Sequence, residues 1–142
     1  PELISHQDYC PGNVVFRDGL PAAFIDFDLS RPTTRVADLV NAMYWWTPLM
    51  HPSDRPPALR DADVPARVRI LADSYGMTPE QRALVVPTAM QRAANAMPAM
   101  HAAAQADPVF AKWWDGGLEQ KLLRAQAWLS TEAPRIDAVL LD

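Results

Sequence analysis

Apolar residues recur at helical spacing over most of this chain and at strand spacing only near its beginning. Leu3-Ile4-Ser5 reads as the end of a strand. Val14-Val15-Phe16 and Ala23-Phe24-Ile25 are β-branched and aromatic runs flanking a turn at Arg17-Asp18-Gly19, the pattern of a hairpin over 14–26. Leu29-Ser30-Arg31-Pro32 breaks that regularity, and Thr33 or Thr34 offers a cap for the next element. From Arg35 to about Thr47, the residues Val36, Leu39, Val40, Met43 and Trp46 repeat at the period of an amphipathic helix.

Residues 49–62 contain Pro52, Pro56 and Pro57 and read as a loop. Asp63 followed by Pro65 starts a helix that Gly76 ends. Thr78-Pro79-Glu80-Gln81 is a second start, with Thr78 and Gln81 forming a capping box. An alanine- and methionine-rich helical stretch runs to about Ala106, and Pro87 and Pro98 are expected to kink or split it. Asp107-Pro108 starts another helix, Gly116-Gly117 interrupts it, Leu118 to Leu129 carry it on, and Pro134 starts a short last helix. The pattern is α+β, mostly α, and the length suits one domain.

The loop Ser5-His6-Gln7-Asp8-Tyr9-Cys10-Pro11-Gly12-Asn13 precedes the hairpin, and Ile25-Asp26-Phe27-Asp28 follows it. Pro11-Gly12 bends the loop so that Asn13 can face Asp8. A hairpin returns its second strand beside its first, so Asp26 comes back next to Asn13. Two carboxylates and an amide oxygen at one point are hard oxygen ligands of the kind Mg²⁺ takes. A Mg²⁺ site with a spare carboxylate suits phosphoryl transfer.

His6-x-Asp8-x-x-x-x-Asn13 with Asp26-Phe27-Asp28 resembles the catalytic and metal-binding motifs of kinase-like phosphotransferases. Gln7 stands where protein kinases have Arg, and Asp28 where they have Gly. With Arg35-x-x-Asp38-Leu39, the text is similar to the aminoglycoside phosphotransferase family, which includes choline kinase-like enzymes. The resemblance implies the mostly helical C-terminal lobe of a protein-kinase-like fold, spanning 1–142, with a small β-hairpin at the active site. In it, 5–13 is the catalytic loop, 14–26 the hairpin and 35–142 the helical acceptor-binding region. It implies transfer of the γ-phosphate of ATP, or GTP, to a hydroxyl of a small molecule with Mg²⁺. Asp8 takes the place of the catalytic base or substrate-orienting carboxylate, and Asn13 and Asp26 those of the Mg²⁺ and nucleotide ligands. Asp28 is a further metal ligand or a hydrogen-bond partner of the loop. His6 and Asp38 are structural supports, Asp38 bracing the loop through backbone hydrogen bonds. Such an enzyme has an N-terminal lobe with a glycine-rich loop and a phosphate-binding lysine, and neither is found here. The expectation is therefore a lobe of a longer protein that needs the other lobe for turnover. The competing reading is an inactive lobe serving as a binding or interaction module. A phosphohydrolase using the same carboxylates is a third.

Composition narrows the field. The 142 residues carry a net charge of −4 and no Lys/Arg run, which argues against a nucleic-acid partner. No apolar run approaches the roughly 20 residues of a membrane span. One cysteine cannot form an internal disulfide, which fits a cytoplasmic setting. His6, Asp8 and Cys10 alternate, but no further Cys or His pair completes a zinc site. Of Trp45 with Trp46, and Trp113 with Trp114, one of each pair is expected in the core, the other facing a pocket or a cation. Met90, Met97 and Met100 are expected to fill core. A surface left by a missing lobe would be apolar and favour self-association. A polycationic acceptor would need a strongly acidic pocket, which the sequence does not clearly show.

Overall fold

The computed structural model describes residues 1–142. Four short strands precede six helices: β1 (Leu3–Ser5), β2 (Val14–Arg17), β3 (Leu20–Phe24), β4 (Arg31–Thr33), α1 (Arg35–Trp46), α2 (Val64–Tyr75), α3 (Pro79–Ala83), α4 (Val85–Ala106), α5 (Pro108–Trp113) and α6 (Glu119–Leu141). The chain is α+β and mostly α.

The strands form two separate antiparallel pairs. In the β2–β3 hairpin the turn is Asp18-Gly19, with φ of 51° and 78°. Two successive positive φ values match the twist of a two-residue hairpin. The register slips between Val15 and Phe16, so that Val14 pairs with Phe24 while Phe16 pairs with Pro21. The second pair was not expected. β1 lies against β4, Leu3 opposite Thr33 and Ser5 opposite Arg31. The segment that reads as broken regularity is thus an edge strand, where Pro32 needs no ladder donor.

Helix ends follow local chemistry. The Thr34 hydroxyl accepts from the Ala37 N–H at 3.2 Å and starts α1. Asp63 caps α2, and Gly76 ends it at φ 75°. Thr78 and Gln81 form the reciprocal capping box of α3. Asp107 caps α5, and the Gly116-Gly117 interruption appears as one wide turn over Trp114–Leu118 with Gly117 at φ 97°.

Two proline expectations change. The long helical stretch divides at Leu84, ahead of Pro87, and α4 then runs through Pro98 unbroken. Pro134 starts no new helix but lies inside α6. A proline in a helix interior costs about 3 kcal/mol. Leu129 before Pro134 and Ile136 and Leu140 after it are all buried in one core. Burying each contributes about 1.5–3 kcal/mol, so a break that withdrew either set would cost more than the lost hydrogen bond.

That core joins Val36, Leu39, Val40 and Met43 of α1 to Val64, Val68 and Ala72 of α2, Val85, Val86 and Ala89 of α4, and the α6 residues. The tryptophans and methionines depart from expectation. None of Trp45, Trp46, Trp113 and Trp114 is buried, Met90 is exposed, and Met97 and Met100 are half-buried. Val, Ala, Leu and Ile faces with Met43 fill the space between the helices, and these tryptophans are left at the margins. No helix is long and apolar enough to cross a membrane.

Candidate active-site loop

The loop between β1 and β2 is held from three directions. His6 is buried (4% exposed) among the rings of Tyr9, Phe24 and Phe27, whose centroids lie 5.4, 5.7 and 4.5 Å away. Its Nε2 is 2.7 Å from the Ile25 carbonyl, and its Nδ1 is 3.3 Å from the Asp8 backbone N–H. A carbonyl only accepts and a backbone N–H only donates, so Nε2 carries the proton and Nδ1 accepts. One neutral imidazole therefore ties the segment before Asp26 to the backbone of Asp8.

The Asn13 Nδ2 donates to the Asp8 carbonyl at 3.1 Å and to Asp8 Oδ2 at 3.0 Å. The Ile25 N–H donates to the Asn13 carbonyl at 3.0 Å. Asp8 and Asn13 are thus in direct contact, and the residue before Asp26 is bonded to both His6 and Asn13. Asp26 has φ 63°, a left-handed conformation uncommon outside glycine and milder for Asp than for most residues. The strand pairing ends at Phe24, and this turn carries the chain away from the hairpin. Asp26 and Asp28 are both exposed, and the chain's four ion pairs lie elsewhere.

α1 supplies the third support. The Asn41 Nδ2 donates to the Gln7 carbonyl at 2.7 Å, and the Trp46 indole N–H donates to the Tyr9 carbonyl at 2.8 Å. The Tyr9 hydroxyl donates to Asp38 Oδ1 at 2.6 Å. Burial, with the Asp38 carboxylate beside it, pushes the Tyr9 phenol above its ordinary value. The backbone bracing expected of Asp38 is thus carried by Asn41 and Trp46, while Asp38 holds a side chain of the loop. Gln7 adopts φ 70° and accepts from Arg31 Nε at 3.0 Å, linking the loop to β4. Arg35, at the start of α1, donates Nη1 to the Tyr75 hydroxyl at 3.1 Å.

Chemically, the loop presents one carboxylate fixed against an amide, with two further carboxylates on the strand-exit turn beside it. Both side-chain bonds of Asn13 use its NH₂ group, leaving Oδ1 as the side-chain atom for a cation. No three His, Cys, Asp or Glu side chains converge closely enough to hold a metal among themselves. The set Asn13, Asp26 and Asp28 counts an amide among its oxygens, and its donor chemistry fits Mg²⁺.

Beside the loop lies a cleft of about 920 Å³ bounded by α1, α4, α6 and β4, with Gln7, the neighbour of Asp8, in its wall.

Comparison with known proteins agrees with the motif. The model of the phosphotransferase enzyme family, APH, matches residues 1–71, half of the chain. The trifolitoxin immunity protein of Rhizobium leguminosarum bv. trifolii is 32% identical over 83 residues. That match covers 56% of this chain and 31% of the relative, so the chain spans about a third of the length of the curated relative. No solved structure matches. With the 5–13 loop, the hairpin and the first helix all inside the family match, the chain belongs to the phosphotransferase enzyme family.

Proposed function

We propose that this chain carries the catalytic and metal-binding half of a kinase-like phosphotransferase that moves the γ-phosphate of ATP to a hydroxyl of a small molecule. The observation that carries the reading is the Asp8–Asn13 pair at 3.0 Å, joined through Ile25 to the turn bearing Asp26 and Asp28. Asp8 accepts the hydrogen bond of the acceptor hydroxyl and takes its proton as the oxygen bonds to the γ-phosphorus. The bond from that phosphorus to the bridging oxygen breaks, and ADP leaves. Asn13, Asp26 and Asp28 would hold Mg²⁺, which would neutralise charge on the phosphate oxygens. His6 and the α1 side chains keep the loop in place, because catalysis of this kind rests on positioning and charge. The segments 5–13, 14–26 and 35–142 serve as catalytic loop, hairpin and acceptor-binding region. Work in a cytoplasmic, ATP-containing compartment follows from the same reading.

A second reading is an interaction module without turnover of its own. Seven of the fifteen exposed large hydrophobic residues, Ile4, Phe16, Leu20, Phe24, Ile25, Phe27 and Leu29, fall within residues 4–29. Such a surface favours packing on a nucleotide-binding lobe or on a second copy.

The test is incubation of the chain with Mg²⁺-ATP and a panel of hydroxyl compounds, with and without a supplied nucleotide-binding lobe. Turnover is expected only with that lobe. Asp8→Ala in the active pair is expected to lower it by about a hundredfold or more. Near-normal turnover by Asp8→Ala overturns the role of Asp8, and no turnover under any condition favours the interaction module.

A further inference from the structure

The cleft beside Gln7 has an electrostatic character opposite to that of the chain as a whole. The protein carries a net charge of −4. Yet the cleft wall contains two arginines, Arg31 and Arg92, and no Asp, Glu, Lys or His. Most of the remaining wall is apolar, supplied by Val, Leu, Ala and Met side chains of α1, α4 and α6.

Arg92 is half-buried, and its guanidinium lies over the Tyr44 ring, 4.3 Å from the centroid. It is in none of the four ion pairs. Burial pulls its pKa below the ordinary value, the Tyr44 phenol works against that shift, and nearby Arg31 adds to it. The Arg92 guanidinium makes no hydrogen bond within the protein, and its fork of donors matches an oxyanion in a bidentate way. Arg31 is exposed and donates Nε to Gln7, so its guanidinium is anchored at the cleft edge next to the catalytic loop.

Asn41 is the second observation. It is 6% exposed, and its Nδ2 is committed to the Gln7 carbonyl, which fixes the orientation of the amide. Asn41 lines the cleft, and its Oδ1 is buried with no hydrogen-bond partner in the protein. A buried acceptor left unmade costs about 1–3 kcal/mol, so the cleft offers a ligand donor a rewarded place.

We propose that this cleft takes an acceptor with an apolar body and an oxyanion group, carboxylate or phosphate monoester. The oxyanion sits against Arg92 and Arg31, and an N–H or O–H of the ligand donates to Asn41 Oδ1. The volume suits a ligand of that class. This deepens the phosphotransferase reading and rests on it only for the hydroxyl that is phosphorylated. It excludes a polycationic acceptor, which would meet two arginines and no carboxylate.

The test is calorimetric titration of the chain, without nucleotide or Mg²⁺, using four matched probes: ω-hydroxydecanoate, ω-hydroxydecyl phosphate, ω-hydroxydecanamide and ω-aminodecanol. At least one oxyanion probe is expected to bind about tenfold or more tightly than the amide and the amine. Arg92→Met is expected to bring the oxyanion down to the affinity of the amide, and Arg92→Lys to keep only part of the preference, because an ammonium supplies charge without the planar fork. An amine binding as tightly as the oxyanions, no oxyanion binding, or a preference unchanged in Arg92→Met overturns the proposal. Should Arg92→Met fail to fold, the ranking on the unaltered chain and the Lys variant decide. Absence of phosphoryl transfer would leave the binding result standing. Turnover of an amino alcohol without oxyanion preference would sink this inference and spare the phosphotransferase reading.

Discussion

Asn13 donates its side-chain amide to both the backbone carbonyl and the carboxylate of Asp8, at 3.1 and 3.0 Å. The five-residue separation and the Pro11–Asn13 3₁₀ turn make this pairing possible. Asn13→Asp removes the donor and sets a like charge beside Asp8. The expected result is a loss of about 1–3 kcal/mol of stability, because the Asp8 carbonyl and carboxylate lose their partner, read by urea melts against the unaltered chain. Unchanged stability in Asn13→Asp would mean that the amide does not hold the loop together.

The hydroxyl of Tyr9 on Asp38 gives a pH signature. Burial first, then Asp38, raises the Tyr9 phenol, and burial raises that of Tyr44. The folded chain therefore holds these protons more tightly than the unfolded chain. The resulting stability is fully present below the free phenol value of about 10, and is lost as pH climbs through the raised folded values. Tyr9→Phe should cost about 1 kcal/mol at neutral pH and make stability fall less steeply above pH 10 or so. Urea melts across the alkaline range compare the two slopes, and identical slopes would deny Tyr9 its part.

Much of this arrangement was readable from the chain because it is local. Thr34, Asp63, Thr78 with Gln81, Gly76 and Asp107 each act within one helical turn, so their identities announce helix ends. The nearness of Asp8 and Asn13 follows from short spacing and a Pro-Gly bend. What the sequence does not announce is long-range. β4 pairs with a strand some 28 positions earlier and contains a proline, so no local run betrays it. Asn41 and Trp46 reach loop carbonyls 34 and 37 positions away. Asp38 and Asn41, polar and three apart in a stretch from Val36 to Trp46 that is otherwise apolar or aromatic, are the one available hint. Arg92 and Asn41 share a cleft only because α4 folds against α1. The prolines misled for another reason: one lost hydrogen bond looks decisive in a sequence, and the core on both sides of Pro134 outweighs it.

Asn41 does two jobs, and substitution separates them. Asn41→Asp removes the donor to Gln7, leaves an acceptor in the cleft and buries a charge. Asn41→Leu removes donor and acceptor together. Each should destabilise by about 1–3 kcal/mol, because the Gln7 carbonyl loses its partner. Asn41→Asp should also weaken oxyanion binding in the cleft by about tenfold, since a like charge faces the ligand. Chemical melts and probe titrations on both variants check this. Oxyanion binding that survives Asn41→Asp intact would place the ligand away from Asn41.

Arg55 shows how a buried cation anchors the proline-rich segment between α1 and α2. It is 7% exposed, its Nε donates to the Met50 carbonyl at 3.0 Å, and its Nη1 donates to the Arg60 carbonyl at 3.0 Å. The guanidinium also lies 5.0 Å from the centre of the Trp128 ring on α6. Burial lowers its pKa below the ordinary arginine value. Arg55→Met keeps apolar volume but strands two carbonyls and ends the stacking, so a loss of about 2–4 kcal/mol is expected. Arg55→Lys should recover less than half of it, because an ammonium lacks the planar fork that reaches both carbonyls while covering the ring. Urea unfolding of the two variants decides the matter. Full recovery by lysine would show that charge alone, rather than guanidinium geometry, holds the segment.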